Sequence, residues 1–295
     1  MEIRAYRDDD AEALTALSAA CTRGEGDFVL NPLWETAAEL VAEFERFGID
    51  PKSHLLVADD GDGEILGFAG FLRQPGADAA GMICPIVKRG GRRRGVGGEL
   101  LRAAQTLAVE KLGIRHMTAG IGTRNRAGYS LLSSHGFRPV RQHFFMRCDD
   151  RPSVPDDPIE GLTIQLAEPG DAGAILDIYR ACGFEARSPE AMDACLRDGQ
   201  HAHAVASHEG RVVAFVEIEA HWPRRVWVAY VGVTDAMRGR GVGSALVAWI
   251  LEKRFEAGAA SALLLLSPAN RTALRAYEKV GFRRSRLIDV LEKIL

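Results

Sequence analysis

The sequence predicts a mixed α/β (α+β) fold built twice: two tandem domains, each a mixed, mostly antiparallel sheet flanked by helices. Three observations carry that expectation. A short strand, a polar cap and an apolar-periodic helix begin at Ile3, and the same order of signals begins again at Ile164. Between the halves, residues 149–158 hold three prolines and four aspartates, which suit neither a helix nor a central strand and read as a linker. Each half also contains two alternating runs across a Gly turn, the pattern of an antiparallel hairpin. The expected division is a domain at 1–148, a linker at 149–158 and a domain at 159–295.

In order along the first half, the hairpin strands are 54–58 and 64–72, turning through Asp60, Gly61, Asp62 and Gly63. In the second half they are 202–207 and 211–222, turning at Glu209 and Gly210. A further strand, 81–87 or 226–233, runs into a loop rich in glycine and arginine, and a helix follows. After that helix come a strand at 115–121 or 262–267, another helix, a Gly-Phe pair and a last strand.

Composition narrows the class. The 295 residues are 47% hydrophobic and 26% charged, the proportions of a soluble globular chain. Lysine and arginine number 37 against 40 acids, a net charge of −3 that argues against nucleic acid as a partner. Five widely spaced cysteines offer no CxxC pair, so no disulfide framework or structural zinc is expected, and a reducing compartment fits. The first residues are strand-like and charged rather than apolar, and the longest uncharged apolar stretch, 241–251, falls short of the roughly 20 residues that span a bilayer. A cytoplasmic protein without membrane contact is expected.

The Gly/Arg loop carries the strongest chemical signal. It reads Arg92, Arg93, Arg94, Gly95, Val96, Gly97 in the first half and Arg238, Gly239, Arg240, Gly241, Val242, Gly243, Ser244 in the second. Glycine-rich backbone at a strand-to-helix junction leaves amides facing one way beside the positive end of a helix dipole, which suits a phosphate or pyrophosphate. Neither copy has the lysine of a Walker loop, and the position after the fourth strand is wrong for a dinucleotide fingerprint. An acyl-CoA pyrophosphate loop is the third option. A solvated turn is the plain alternative for one copy, but two copies in equivalent contexts disfavour it.

On these residues the chain resembles the GNAT superfamily of acyl-CoA-dependent N-acyltransferases, whose loop reads Arg/Gln-x-x-Gly-x-Gly/Ala. The second family signature is an Asn, a helix with a Tyr, then Gly-Phe. It is matched by Asn270, Tyr277, Gly281 and Phe282, and in the first half by Asn125, Gly136 and Phe137 with Leu132 in place of the tyrosine. The resemblance covers nearly the whole chain as a tandem pair, a layout also similar to mycothiol-synthase-type enzymes. It implies acetyl-CoA as co-substrate and direct acetyl transfer to a primary amine of a small molecule or peptide. It further implies that Val231, Gly232 and Val233 line the pantetheine arm and that the second loop with Asn270 holds the cofactor. Ile86, Val87 and the first loop with Asn125 are their counterparts.

Two asymmetries point to the second half as catalytic and the first as degenerate. In the family the tyrosine protonates the departing thiolate; a phenol can do so, and leucine has no proton. The strand at 216–222 places Glu217, Glu219 and His221 on one face by its period of two, where the first half has no carboxylate. Glu217 or Glu219 is then a candidate base for the amine, and a face simply open to water is the alternative. His201 and His203 share a strand face but give no metal-ligand spacing, so no metal is expected. The rival function is a non-catalytic acyl-CoA-binding or sensing protein, against which the tyrosine and the carboxylates in one half both weigh. The segment 21–50, longer than its counterpart, and the loops near Trp222 and Trp227 are expected to shape the acceptor pocket.

Overall fold

The structure, a computed structural model, describes residues 1–74, 76–153, 159–185 and 187–295. The chain forms two compact units, one from residues 1–143 with 287–295 and the other from 144–286. This differs from the expected division, in which 149–158 separate the domains. The last strand of the chain belongs to the first unit, and residues 149–153 lie inside the second, where the Ser153 amide donates to the Val280 carbonyl. Residues 154–158 of the expected linker fall outside the described residues.

In the first unit, β1 (Glu2–Ala5), β2 (Leu55–Asp59), β3 (Ile65–Leu72) and β4 (Ala79–Val87) pair antiparallel in that order. Next comes β5 (His116–Gly122), parallel to β4, and then β12 (Arg283–Ile294), antiparallel to β5 from Ile288 to Ile294. Helices α1 (Ala11–Thr22), α2 (Ala37–Phe47), α3 (Pro51–His54), α4 (Val96–Leu107) and α5 (Arg126–Ser134) complete it. Their apolar faces close a core around Leu14, Leu40, Phe44, Phe68, Leu100, Met117 and Phe137.

The second unit repeats this order with its own strands. Strands β7 (Leu162–Leu166), β8 (His201–His208), β9 (Arg211–Glu219) and β10 (Arg225–Val233) are antiparallel neighbours. Strand β11 (Ser261–Leu266) runs parallel to β10, and the end of β6 (Arg138–Cys148) pairs antiparallel with β11. Helices α6 (Ala172–Ala181) and α7 (Pro189–Arg197) cover one face of the sheet, where Ile175, Tyr179, Met192, Val205 and Phe215 pack together. Helices α8 (Val242–Glu256) and α9 (Arg271–Val280) cover the other, over Val216, Ile218, Leu246 and Leu264.

Strand β9 ends at Glu219, three residues short of the expected 222, so His221 does not continue the Glu217 and Glu219 face by alternation. Its ring instead lies 4.6 Å from that of the buried Trp222. The alternation holds for 216–219, but the face bearing Glu217 is covered by α6 and α7 rather than open to water.

Because Ile288 and Leu291 are fully buried on β12, a chain ending at Arg286 should lose the pairing of β5 together with two core side chains. Each such side chain is worth about 2–5 kcal/mol, which rivals the roughly 5–15 kcal/mol that holds a domain folded. The expected outcome is a first unit that melts far below the full-length midpoint, read by calorimetry; an unchanged melting curve would contradict the assignment of β12 to that unit.

Candidate active site

In each unit the two parallel strands part early. Pairing of β10 with β11 is confined to Arg225, Val226 and Trp227 against Ser261, Ala262 and Leu263, and a bulge between Val228 and Tyr230 turns β10 further from regular register. The pairing of β4 with β5 is likewise confined to Ala79, Ala80 and Gly81 against His116, Met117 and Thr118. Beyond these rungs, β4 and β10 each turn one edge toward a wedge with no neighbouring strand to take their backbone groups. Val231, Gly232 and Val233 lie on that stretch of β10, and Ile86 and Val87 on that of β4. Gly232 is required there, since a Cβ would lie 2.4 Å from the Phe215 ring.

The loops that follow are superposable in their bonding. Gly241 (φ 86°) caps α8 and Gly95 (φ 87°) caps α4, both in the left-handed region that glycine enters freely. The first bond of α8 runs from the Ala245 amide to the Gly241 carbonyl, so the amides of Val242, Gly243 and Ser244 precede the helical ladder and sit at its positive end. In α4 the same holds for Val96, Gly97 and Gly98, with the Glu99 amide on Gly95. The side chains of Val96 and Val242 are buried, and the Ser244 hydroxyl donates to the Ala276 carbonyl of α9, so these residues offer backbone rather than side chains to a ligand. Arg93 takes a φ of 64° where the second loop has Gly239 at 77°, a left-handed turn that costs an L-residue about 1–2 kcal/mol.

The leading arginines act differently from expectation. Arg238 Nε donates to the Val233 carbonyl at 3.1 Å and Arg92 Nε to the Val87 carbonyl at 3.1 Å, so each ties its loop to the end of the preceding strand. Nη1 of each meets a carboxylate, Asp235 at 2.6 Å and Asp27 at 2.7 Å, while Nη2 of Arg238 donates to Cys182 Sγ and Nη2 of Arg92 to the Cys21 carbonyl. Arg240, Arg93 and Arg94 are exposed on the loops and form none of the ion pairs among the described residues. Both asparagines are helix caps: Asn270 accepts from the Ala273 amide at 3.1 Å and Asn125 from the Gly128 amide at 2.9 Å.

Tyr277 on α9 is half-buried with its ring edge-on to Phe282 at 5.5 Å. Burial raises its phenol above the ordinary value, so the proton stays on oxygen at neutral pH. The equivalent Leu132 is buried and lines a cavity of about 400 Å³ with Cys84, Ile86, Val87, Arg92, Gly95, Gly97 and Asn125.

The wedge of the first unit is filled from within. Residues 28–31 enter it and bond to both strands: the Leu30 amide to the Gly120 carbonyl, the Gly122 amide to the Phe28 carbonyl, and the Cys84 amide to the Asn31 carbonyl. Val29 bridges Ile121, and Asn125 Nδ2 donates to the Phe28 carbonyl. A Cβ on Gly120 would lie 2.7 Å from that of Leu30, so glycine admits the insertion. The segment 21–50 was expected to shape the acceptor pocket; its residues 28–31 lie between β4 and β5 of the first unit. The signal for this was present in the alignment of the halves, where Gly120 and Gly122 stand opposite Leu265 and Ser267.

The two candidate carboxylates separate in character. Glu217 is fully buried and takes both Arg187 guanidinium bonds at 2.6 and 2.7 Å and the Tyr179 hydroxyl at 2.5 Å, with His203 Nε2 3.2 Å away. Burial pushes its pKa up, but the hydrogen bonds from His203 and Arg187 outweigh that and hold it far below the carboxylate range. A carboxylate so saturated is a poor proton acceptor, and removing one partner of such a buried pair costs about 3–5 kcal/mol. Glu217 is placed as a counter-ion that anchors α6 and the start of α7. Glu219, one rung along on the same face, is half-buried, lies opposite Trp227 and His201, and keeps the role of candidate base. Sequence reasoning missed Arg187 and Tyr179, whose meeting with Glu217 depends on how α6 and α7 pack.

Comparison with known proteins agrees with this geometry. The pattern of the Acetyltransferase (GNAT) family matches residues 16–137 and again 172–282. A mycothiol acetyltransferase of Thermomonospora curvata is 32% identical over 96% of this chain and 93% of its own. Among solved structures, a GCN5-related N-acetyltransferase from Sphaerobacter thermophilus superposes with a TM-score of 0.80 at 24% identity, covering 99% of this chain and 95% of that one. A tandem GNAT protein from the clavulanic acid biosynthesis pathway gives 0.73 at 19% identity, with 99% and 98% covered. With both halves matched over the loops and helices that frame the two wedges, the chain belongs to the GNAT acetyltransferase family, as a tandem acyltransferase that moves an acetyl group from acetyl-CoA to an amine.

Proposed function

We propose that the transfer takes place in the second unit, and that its acceptor is a small-molecule primary amine of the kind used by the mycothiol acetyltransferases that this chain resembles along its length. The observation that carries the placement is the pair of opposite wedges, one filled by residues 28–31 and backed by Leu132, the other free of that insertion and flanked by Tyr277. The rival reading, an acyl-CoA binder without turnover, describes the first unit better than the whole: a cradle and a cavity are retained there, without an acid.

In the second unit the pyrophosphate rests on the amides of Val242, Gly243 and Ser244, with Arg240 near. The pantetheine arm adds to the free edge of β10 along Val231 to Val233 as a surrogate strand. That places the thioester at the bulge, where backbone amides stabilise the oxyanion as the amine attacks. The C–N bond forms, the C–S bond breaks, and Tyr277 hands its proton to the leaving thiolate.

Gly241→Val forces a β-branched residue into φ 86° with no heavy atom nearer than 4.0 Å to the new Cβ, so the helix cap and cradle distort while the core is untouched. A folded Gly241→Val protein should lose acetyl transfer and CoA affinity at one site, whereas Gly95→Val should keep transfer. Calorimetry with CoA and mass detection of acetylated glucosamine, cysteine amide and a lysine peptide check both, and transfer surviving Gly241→Val would move the chemistry to the first unit.

Tyr277→Phe keeps the ring against Phe282 and deletes the hydroxyl. It should lower kcat by about 10²–10⁴-fold with acetyl-CoA affinity and melting temperature nearly unchanged. A purely packing tyrosine predicts wild-type kcat for Phe and a stability loss only for Ala.

A further inference from the structure

One rung of the second sheet carries chemistry beyond the groups discussed so far. Leu263, Trp227, Glu219 and His201 are successive cross-strand partners from β11 to β8, and Trp227 with Leu263 is the last pair before the wedge opens. Directly opposite residues on paired strands share a face. Trp227, Glu219 and His201 therefore form a row leading from the wedge mouth along the α6 and α7 side of the sheet, each of the three only partly buried. His201 is held at the end of that row by Asp198, whose Oδ2 lies 2.8 Å from Nδ1. Asp198 is itself fixed, since its Oδ1 accepts the Gln200 amide at 2.8 Å. In a neutral ring the proton then sits on Nδ1, and Nε2 carries the lone pair. An imidazole nitrogen of His201 and one oxygen each of Glu217 and Glu219 lie within 4.8 Å of one another.

We propose that the acceptor amine docks over the Trp227–Glu219–His201 row and that His201, oriented by Asp198, accepts its proton. This rests on the second unit being the site of transfer. As the amine attacks, the nitrogen proton passes to His201 Nε2, directly or through one water, while Tyr277 gives a proton to the thiolate. The enzyme resets when the imidazolium proton returns through solvent to the Tyr277 oxygen, so the net reaction is amine plus acetyl-CoA to amide plus CoA. Glu217 is held by both terminal nitrogens of Arg187 and by the Tyr179 hydroxyl, so it fixes the floor without taking part. Among the described residues, His203 on β8 lies with its ring centroid 6.4 Å from that of His201, and Glu217 and Glu219 on β9 lie beside the imidazole. An Asp–His pair with one free nitrogen is the arrangement that sets a tautomer for proton transfer, and Asp198 is a positioning residue in that sense.

The test uses the full chain. In wild type, a ¹⁵N-edited imidazole spectrum should show His201 as the Nδ1–H tautomer, and Asp198→Asn should shift it; an Nε2–H tautomer in wild type overturns the proposal without any acceptor. With the amine of the panel above that turns over, His201→Gln should lower kcat about 10²-fold and leave KM for acetyl-CoA within a few-fold. His201→Gln with wild-type kcat overturns the inference while transfer by the second unit stands. Loss of the underlying reading shows separately, as activity that survives Gly241→Val.

Discussion

Everything distinctive about this molecule depends on two parallel strand pairs that hold register for three residues and then separate. A regular sheet satisfies each strand's amides and carbonyls on both edges. Here the backbone beyond Trp227 and beyond Gly81 is left to find partners elsewhere. An extended ligand with amide groups, such as a pantetheine arm, can complete such an edge in the way an added strand does. The helix that opens just past the strand end then supplies the positive pole for the phosphates at the other end of the same ligand. One irregularity in the sheet thus leaves a backbone edge beside the positive pole of a helix.

The two units show two answers to the same unsatisfied edge. In the second, β9 carries a carboxylate row kept in place by a buried Arg187–Glu217 pair with Tyr179 over it. In the first, residues 28–31 supply a partner from the chain itself, and Asp27 next to them pairs with the loop arginine. Leu132, at the position of Tyr277, is buried in the core of the first unit.

The fold and the loops were legible because they rest on local patterns. The hairpin turns, the strand-to-helix glycines and the Asn caps each act within a few residues, and the internal repeat let one half check the other. The shape of Tyr277 against Leu132 was readable for the same reason. What could not be read depends on contacts between distant residues. That β12 completes the first unit was hidden because its alternation fits either sheet. That Glu217 is a buried counter-ion depends on Arg187 reaching it across α6, which no periodicity records. The bonds of Arg92 and Arg238 to their own strand ends could not be read, because a charged residue in a glycine loop looks the same in sequence whether it faces a ligand or folds back.

The placement of β12 also bears on how this protein can be made. A ribosome delivers the chain from its first residue onward, and most domains begin to fold as they emerge. Here the sheet of the first unit must wait, with its β5 edge bare, through the synthesis of the entire second unit until residues 288–294 leave the exit tunnel. A fragment that stops before β12 leaves the β5 edge of this sheet without its partner strand. Once joined in this way, the two copies can drift apart in chemistry, as Tyr277 and Leu132 have, while remaining bound to one another's survival.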